Sequence, residues 1–370
     1  MKIAFCGDLV LRSPEDHKLG SRLKKKLEEC KIRVLNFEVP VKVKDGVGIH
    51  KSGPVHNQSS HSPEWVMENG FNMVTLANNH SLDYGEKGLQ ATLKAFKDIS
   101  ITGVGTFETA YKISVFEIDN QKIGFLGLTQ KEFGCVDEYS GEKMGTAMAT
   151  SPRVYACISE GKKTVDKLYV LPHAGAEYLD IPLPEWREVY KSYIDVGADG
   201  VIASHPHVPQ GWEMYKGCPI FYSLGNFLFE VPDPSVKHPK WLNSLMVVMD
   251  TGSDEYEVLP IYYDHKNKVV EIDESKSSKD YMLYLKDALD GSIYPEIIKS
   301  HMEYLKTPYK KMMISGGAYQ LNKRERLKNL IRPFLGKKRV SSDPVHLLNL
   351  FQCESHRWIM MRLLENKITK

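Results

Sequence analysis

The chain has 370 residues, of which 42% are hydrophobic and 26% are charged, as in a soluble globular protein long enough for two folded units. Its formal net charge of only +2 excludes a bulk electrostatic attraction to nucleic acid, and we predict no nucleic-acid partner. The charge is uneven, because residues 271–370 hold 19 Lys and Arg against 12 Asp and Glu and so form a basic C-terminal region.

The first 270 residues predict alternating strands and helices. Apolar runs typical of buried strands are KIAFCGD, IRVLNFE, FNMVTLANNH, KLYVLPHAG and DGVIASHPHV. Helical spacing or helix start and stop signals occur in SRLKKKLEEC, SPEWVMENG, GEKGLQATLKAFKDI and PEWREVYKSYIDVG. YKISVFEIDNQKIGFLGLT predicts a hairpin that turns at Asp119-Asn120, and the segments from CPIFYSLGNFLFE to YEVLPIYYD predict further strands.

Five of the predicted strands end in a polar cluster. These clusters are Gly7-Asp8, Asn36-Phe37-Glu38, Asn78-Asn79-His80, Pro172-His173 and His205-Pro206-His207. In layered α/β folds the loops that leave the carboxyl ends of strands gather on one rim, where ligands bind. We therefore expect these distant residues to meet at one site.

Beyond residue 272 the sequence predicts an appended helical region, and we predict two domains, 1–271 and 272–370. Within it, residues 322–339 contain eight basic residues and one acidic residue, with Leu327, Leu330, Ile331 and Phe334 on one helical face. This basic amphipathic helix would lie on an anionic membrane surface, or pack on the body of the protein, or meet an acidic partner.

Three features of the sequence bear on the cellular compartment of the protein. The N-terminal apolar run is cut by Gly7-Asp8, which makes it too short for a signal peptide, and no apolar run reaches the 18 or so residues of a spanning helix. The six cysteines include no Cys-x-x-Cys pair and predict reduced thiols. We predict a cytoplasmic location, with membrane contact limited to the segment 322–339.

The rim clusters offer oxygen and imidazole donors without a thiolate. The candidate set is Asp8, Glu38, Asn79, His80, His173, His205 and His207. Such donors suit Mn, Fe, Zn or Mg, and their number is sufficient for one or two divalent ions. Two such ions can hold a phosphoryl group and acidify a bridging water. Taken alone, a short histidine pair such as His205-Pro206-His207 is more typical of a solvated polar turn than of a metal site.

Several motifs, in their order and spacing, resemble the CapA family of capsule-synthesis proteins, also called the PGA-cap family. This family is related to the calcineurin-like metallophosphoesterases. The motifs are FCGDL, LNFE, LANNHSLDYGEKGL, GVGTFETA, LPHAGAEY, GADGVIASHPHVPQG and IFYSLGNFLFE. The resemblance covers roughly residues 1–260 and implies an α/β fold, a two-sheet α/β/β/α sandwich with helices outside, followed by the C-terminal helical extension.

The resemblance also implies metal-binding roles. Asp8 and His207 would bind a first metal, and Glu38 would stand at the bridging position. Asn79, His173 and His205 would bind the second metal. His80 would face the substrate and help the leaving group to depart.

Two positions depart from the metallophosphoesterase pattern. The first motif of that superfamily is Asp-x-His, whereas Asp8-Leu9-Val10 has no histidine. The bridging residue of the superfamily is aspartate, whereas Glu38 is one methylene longer. The first metal site is thus one ligand short of that pattern, although the CapA family shares both departures.

Three further polar residues are candidates near the rim. Asp83 would orient His80, or else serve as a turn acid. Glu177 would contact the substrate or form a structural salt bridge, and Asn226 would bind the substrate or stabilise a turn. The polar loop KSGPVHNQSSH, residues 51–61, would cover the rim.

The resemblance favours a divalent-metal-dependent phosphoesterase linked to capsule or exopolysaccharide biosynthesis. Its substrate would be a phosphomonoester or phosphodiester, on a polysaccharide or a lipid-linked precursor. The alternative is a non-catalytic metal-binding or assembly protein of capsular polymer production. A metal-dependent amide or glycan hydrolase is a weaker third hypothesis.

Overall fold

The structure is a computed structural model that describes residues 1–137, 143–315, 331–332 and 343–368. These residues form two compact units. The first comprises Met1–Ile49 and Val55–Tyr294, and the second comprises His50–Pro54 together with the described part of Pro295–Lys370.

Most strands of the first unit form two large sheets. The strands are β1 (Lys2–Val10), β2 (Lys18–Leu19), β3 (Ile32–Phe37), β4 (Met73–Thr75), β5 (Ser100–Thr102), β6 (Val104–Gly105), β7 (Ser114–Ile118), β8 (Gln121–Thr129), β9 (Gly145–Thr146), β10 (Lys167–His173), β11 (Gly200–Ile202), β12 (Trp212–Tyr215), β13 (Cys218–Phe221), β14 (Asn226–Phe229), β15 (Asn243–Asp250), β16 (Tyr256–Asp264) and β17 (Val269–Ile272). The first sheet has the order β2-β17-β16-β15-β1-β3-β4-β5, with β14 also paired to β1. The second has the order β12-β13-β11-β10-β8-β7, and β6 pairs with β9 separately.

The two sheets share an apolar core. Side chains alternate between the faces of a strand, so Ile3 and Phe5 of β1 face the second sheet. The Phe5 ring lies 6.2 Å from the Phe125 ring and 5.3 Å from the Tyr169 ring. The intervening Ala4 and Cys6 belong to a different apolar cluster on the helical side of the first sheet. Burial on both faces explains why residues 3–6 of β1 are an apolar run.

Helices of the first unit cover the outer faces of both sheets. The described helices are α1 (Ser21–Glu28), α2 (Ser62–Glu68), α3 (Gly85–Ala95), α4 (Arg153–Lys162), α5 (Pro184–Asp195), α6 (Lys276–Asp287), α7 (Tyr294–Ser315), α8 (Pro344–Gln352) and α9 (Glu354–Ile368). The first three contribute to the cluster behind the first sheet, and α4 and α5 pack on the second. The predicted α/β/β/α sandwich is therefore confirmed.

Local sequence signals account for several turns of the first unit. The predicted hairpin is present, since β7 and β8 are antiparallel and Asp119 and Asn120 have φ values of 52° and 60°. Such left-handed pairs match the twist of a two-residue hairpin. Gly70 lies two residues after the end of α2 and has a φ value of 81°, at which a residue with a side chain would be strained.

The first unit extends past residue 271. Helix α6 packs on β12 and β16, and its Leu285 is fully buried in the core between the sheets. Tyr281 also donates a hydrogen bond to the backbone oxygen of Pro209 at 3.4 Å. The structure thus assigns to the first unit a helix that the predicted boundary gave to the C-terminal region.

The second unit is helical where it is described. Asp343 caps the N-terminus of α8 by accepting from the Val345 N–H, and its carboxylate lies 3.0 Å from Nε2 of His50. Tyr309 of α7 lies 2.7 Å from Nδ1 of His356 in α9. Across the described ranges of the chain, we find no helix with both the length and the apolar character needed to cross a membrane. The predicted basic helix at 322–339 lies outside the described residues, apart from 331–332.

A half-buried ion pair ties α5 to the edge of the second sheet. Arg187 donates to both carboxylate oxygens of Glu213 at 2.9 Å, and the Tyr222 hydroxyl donates to the same group at 2.6 Å. Burial alone would raise the pKa of Glu213, but these hydrogen bonds outweigh it and hold the pKa below its usual value.

We expect Glu213→Gln to lower the free energy of unfolding at pH 7 by about 2 kcal/mol, since hydrogen bonds to a charged group are lost. A lowered carboxyl pKa stabilises the fold above the unfolded-state value of about 4.3, and this contribution is lost as the pH falls through the folded-state pKa. Urea unfolding at pH 7 and at pH 3 should therefore show a difference from wild type that shrinks at pH 3. Glu188→Gln, at an exposed position of α5, is the control. An equal difference at both pH values would contradict the role of this ion pair.

Candidate metal centre

The predicted rim residues lie at the carboxyl ends of parallel strands. In the first sheet β1, β3 and β4 are parallel neighbours, and in the second β10 and β11 are parallel. Glu38 follows β3 directly, and His173 is the last residue of β10. Asp8 lies within β1 rather than after it, because β1 continues to Val10 by pairing with β14 across a register shift at Asp8.

Asp8, Glu38 and His207 form a first group of ligand atoms. One ligand atom from each residue lies within 4.8 Å of the others, and both carboxylates are fully buried. Nε2 of His207 lies 3.7 Å from Oε1 of Glu38, and its Nδ1 lies 3.8 Å from Oδ2 of Asp8. The predicted ligands of the first metal are thus adjacent in the fold.

Asn79, His173 and His205 form a second group. Nε2 of His173 lies 3.1 Å from Oδ1 of Asn79 and 3.1 Å from Nδ1 of His205. All three residues are buried. An amide oxygen and two imidazole nitrogens from three separate segments are therefore adjacent in the fold.

Asn36 joins the two groups. Its Nδ2 donates to Oδ1 of Asp8 at 2.7 Å and lies 3.0 Å from Nδ1 of His173. Nδ1 of His173 also lies 3.7 Å from Oδ1 of Asp8. Residues of both groups consequently share one hydrogen-bond network.

Burial sets the charge state of these residues in the absence of a cation. It lowers the pKa of His173 well below the usual value, and it lowers the pKa of His207 to about 3 against an opposing hydrogen bond with Asn226. Burial likewise raises the pKa of Asp8 to about 7, although Asn36 and the His205 N–H stabilise its charged form. The two histidines are therefore neutral, which is the form that binds metals.

His80 stands beside the two groups and is oriented by Asp83. Nδ1 of His80 lies 2.7 Å from Oδ2 of Asp83, which is fully buried. The same oxygen accepts the His56 N–H at 2.7 Å, and the His56 ring centroid lies 5.1 Å from that of His80. The polar loop that contains His56 is thus held beside His80, as expected for a loop near the rim.

The backbone at the histidine pair is unusual. His205 and His207 have φ values of 102° and 62°, a region that costs a non-glycine residue about 1–3 kcal/mol. Gly175 lies opposite, at φ 146°, where a Cβ atom would stand 2.7 Å from the Pro206 ring. The loops that carry His173 and His205 can approach each other this closely because residue 175 is glycine.

Asn226 holds His207 from behind. Its Oδ1 lies 3.1 Å from Nδ1 of His207, and its Nδ2 donates to the backbone oxygens of His207 and Trp241. It is 1% exposed. These contacts fix the His207 ring and leave its Nε2 to face Glu38. The substrate contact predicted for Asn226 stays a prediction.

We expect Asn226→Ala to weaken divalent-metal binding about 10- to 100-fold, the usual cost of losing the partner that orients a metal-binding imidazole. Isothermal titration of the metal-free protein with Mn²⁺ measures this. Asn226→Asp keeps an acceptor for Nδ1 of His207 but loses both donations from Nδ2, and it is expected to retain more of the affinity than Asn226→Ala. An equal loss in both variants would contradict the orienting role.

Glu177 is exposed in the loop after His173. The neighbouring Tyr178 has φ 64° and packs its ring 6.1 Å from that of His207. The proposed substrate contact of Glu177 stays a prediction.

The sequence reasoning missed some residues of this network. Asn36 belongs to a predicted strand-end cluster but is not among the predicted ligands, and Gln130, Glu132 and Trp241 lie outside these clusters. Gln130 follows β8, an apolar strand parallel to β10. The rule that located the other residues, a polar residue at the carboxyl end of an apolar strand, would have located Gln130 as well.

The donor set fits divalent cations. The two buried carboxyl groups of Asp8 and Glu38 would balance the charge of a bound cation, whereas buried negative charge without a cation is costly. Carboxylate, amide and neutral imidazole groups are ligands of Mn, Fe, Zn and Mg. Asp8, Glu38 and His207 would hold one ion, and Asn79, His173 and His205 would hold a second.

Comparison with known proteins agrees with the motifs. The family model described as bacterial capsule synthesis protein PGA_cap matches residues 2–231. The capsule biosynthesis protein CapA of Bacillus anthracis is 30% identical over 271 residues, covering 70% of this chain and 64% of that protein. The PGA biosynthesis protein CapA of Bacillus subtilis (strain 168) is 33% identical over 204 residues, covering 53% of this chain and 52% of that protein. The chain thus spans less than two thirds of the length of either relative.

Among solved structures, the 5'-nucleotidase from Candida albicans aligns with a TM-score of 0.42 and 11% sequence identity. The alignment covers 82% of this chain and 58% of that chain.

Proposed function

We propose that this chain, which belongs to the bacterial capsule synthesis protein PGA_cap family, is a divalent-metal-dependent phosphoesterase that acts in the production of a capsule or exopolysaccharide. The observation that carries the proposal is the adjacency of two ligand groups. Asp8, Glu38 and His207 form one within 4.8 Å, and the second has contacts of 3.1 Å. A pair of neighbouring cation sites is the arrangement used to hold a phosphoryl group.

When bound, the cations would neutralise phosphate charge and lower the pKa of a coordinated water. The protein would hold them through the six residues named above. The buried surroundings exclude bulk water and strengthen the attraction between the cations and the phosphate oxygens.

His80 would protonate the leaving oxygen. Its contact with Asp83 uses Nδ1, so a contact with the substrate would be made by Nε2. The fully buried Asp83 side chain holds the orientation of the His80 ring through this contact. A general acid placed in this way acts on the departing group rather than on the cations.

The first test is hydrolysis of aryl phosphate monoesters and diesters by metal-free protein, with and without added Mn²⁺. We expect turnover only with the metal, and removal of the metal by EDTA should abolish it. If metal is bound and a broad panel of phosphoesters shows no turnover, the phosphoesterase proposal is wrong.

One observation favours a second candidate, a non-catalytic metal-binding or assembly protein of capsular polymer production. The superfamily histidine two residues after the first aspartate corresponds to Val10 here. Val10 is fully buried in an apolar cluster with Phe229 and Trp241. The first ion would therefore have fewer protein ligands than that pattern supplies. Bound metal without turnover would favour this candidate.

Contact with an anionic membrane through residues 322–339 is a separate proposal. It depends on the basic amphipathic sequence of that segment. Co-sedimentation with phosphatidylserine-containing vesicles at low salt tests it, and protein that remains in the supernatant would refute it. The cytoplasmic location stays a prediction.

A further inference from the structure

A short segment after β8 contacts the second ligand group. Gln130 lies at the end of this strand, and its backbone N–H donates to the backbone oxygen of His173 at 3.1 Å. Its side-chain Nε2 lies 2.8 Å from Nε2 of His205. Its Oε1 accepts the N–H of Gly175 at 3.2 Å, in the loop that follows His173. One buried glutamine therefore contacts two of the three segments that carry this group.

Glu132 contacts the third segment. Its Oε1 accepts from Nδ2 of Asn79 at 3.3 Å and from Nε2 of Gln130 at 2.9 Å. Both contacts are made by the same oxygen of a half-buried side chain. The Glu132 carboxylate is thus linked to Asn79 directly and to His205 through Gln130.

The contact with Glu132 decides which way the Asn79 amide faces. A carboxylate accepts hydrogen bonds and does not donate them, so the NH₂ end of the amide must point to Glu132. The amide oxygen then points to the opposite side, where it lies 3.1 Å from Nε2 of His173. Only this orientation presents an oxygen to a cation, because an amide NH₂ group is not a ligand.

We propose that Glu132 is a positioning residue for the second metal: it fixes the Asn79 amide with its oxygen toward the cation and, through Gln130, supports His205. This inference depends on the metal sites of the proposed function. Glu132 contacts the predicted ligand Asn79 directly, and it lies in none of the motifs that suggested the ligands.

The test compares Glu132→Ala with Glu132→Gln. The glutamine variant keeps an oxygen that can accept from Nδ2 of Asn79, and the alanine variant does not. Isothermal titration of metal-free protein with Mn²⁺ should show about 10- to 100-fold weaker binding of the second ion in the alanine variant. The glutamine variant should bind as wild type does. Electron paramagnetic resonance should show a coupled two-Mn²⁺ signal in wild type and a single-ion signal in the alanine variant.

Glu117→Ala is the matched control, since Glu117 is an exposed glutamate of β7 in the same unit. Thermal unfolding of the metal-free variants should show that all are folded. Wild-type affinity in Glu132→Ala, or equal losses in both Glu132 variants, would overturn the inference while the proposed function stands. The predicted binding defect in a protein that hydrolyses no phosphoester would overturn the proposed function and leave the inference intact. Absence of Mn²⁺ binding by wild type would overturn both.

Discussion

Replacing His80 with alanine is expected to lower kcat for metal-dependent phosphoester hydrolysis by about 10²- to 10⁴-fold, the contribution typical of a positioned general acid. The metal content should not change, because His80 belongs to neither ligand group. KM should change little for the same reason, since the cations would hold the phosphate. Steady-state kinetics and elemental analysis of the same preparation measure these quantities.

The size of the kcat loss in His80→Ala should depend on the leaving group of the substrate. An aryl alcohol of low pKa departs without a proton, whereas an alkyl alcohol needs one. The loss in His80→Ala should therefore be small for a nitrophenyl ester and large for an alkyl phosphate. A defect of equal size with both substrates would indicate a structural or binding role for His80.

Two variants control for indirect effects. His61→Ala removes a histidine whose side chain is 75% exposed, and it should behave as wild type. Asp83→Asn leaves His80 in place but removes the charge 2.7 Å from its Nδ1. We expect a smaller loss of kcat than in His80→Ala, since the imidazole is retained and only the group that orients its ring is altered.

The sequence was sufficient to predict some of the residues that meet at the rim. Parallel strands buried on both faces are apolar throughout, so a polar residue at the end of such a run is conspicuous. Glu38, His173 and His205 were found in this way. Parallel pairing places the carboxyl ends of neighbouring strands at one edge within each sheet, and the packing of the two sheets brings these edges together.

The partners of these residues were less predictable. Asn226 and Trp241 come from segments that are distant in sequence from His207, and their contacts depend on how β14 pairs with β1. Val10 at the end of β1 belongs to the same apolar cluster as Trp241. Periodicity describes one segment at a time, and it contains no information on which segments become neighbours.

The C-terminal boundary of the first unit was also difficult to predict from the sequence. The segment that forms α6 begins in a charged, serine-rich junction, which is typical of a linker. Its apolar residues, among them Leu285, nevertheless pack into the core between the sheets. Composition located the change in character, but the boundary depends on tertiary packing.

Glu38→Gln is expected to weaken metal binding by more than about 100-fold and to abolish hydrolysis. Residues that merely orient metal ligands cost about 10- to 100-fold when replaced, and a carboxylate that would itself hold a cation should cost more. Glutamine has nearly the same volume, so the fully buried site is not emptied. The metal-free variant should be at least as stable as wild type, since an amide is less costly to bury than a carboxylate.

Thermal unfolding with and without Mn²⁺ separates these effects. A ligand that binds only the folded state raises the midpoint of unfolding, and this rise should be present in wild type and absent in Glu38→Gln. Glu117→Gln makes the same chemical change at an exposed position and should keep the full rise. Glu38→Asp keeps the charge on a side chain shorter by one methylene, and we expect it to retain part of the affinity. If Glu38→Gln still binds two ions and turns over substrate, Glu38 does not bridge the cations, and the first site would have to be assigned to other ligands.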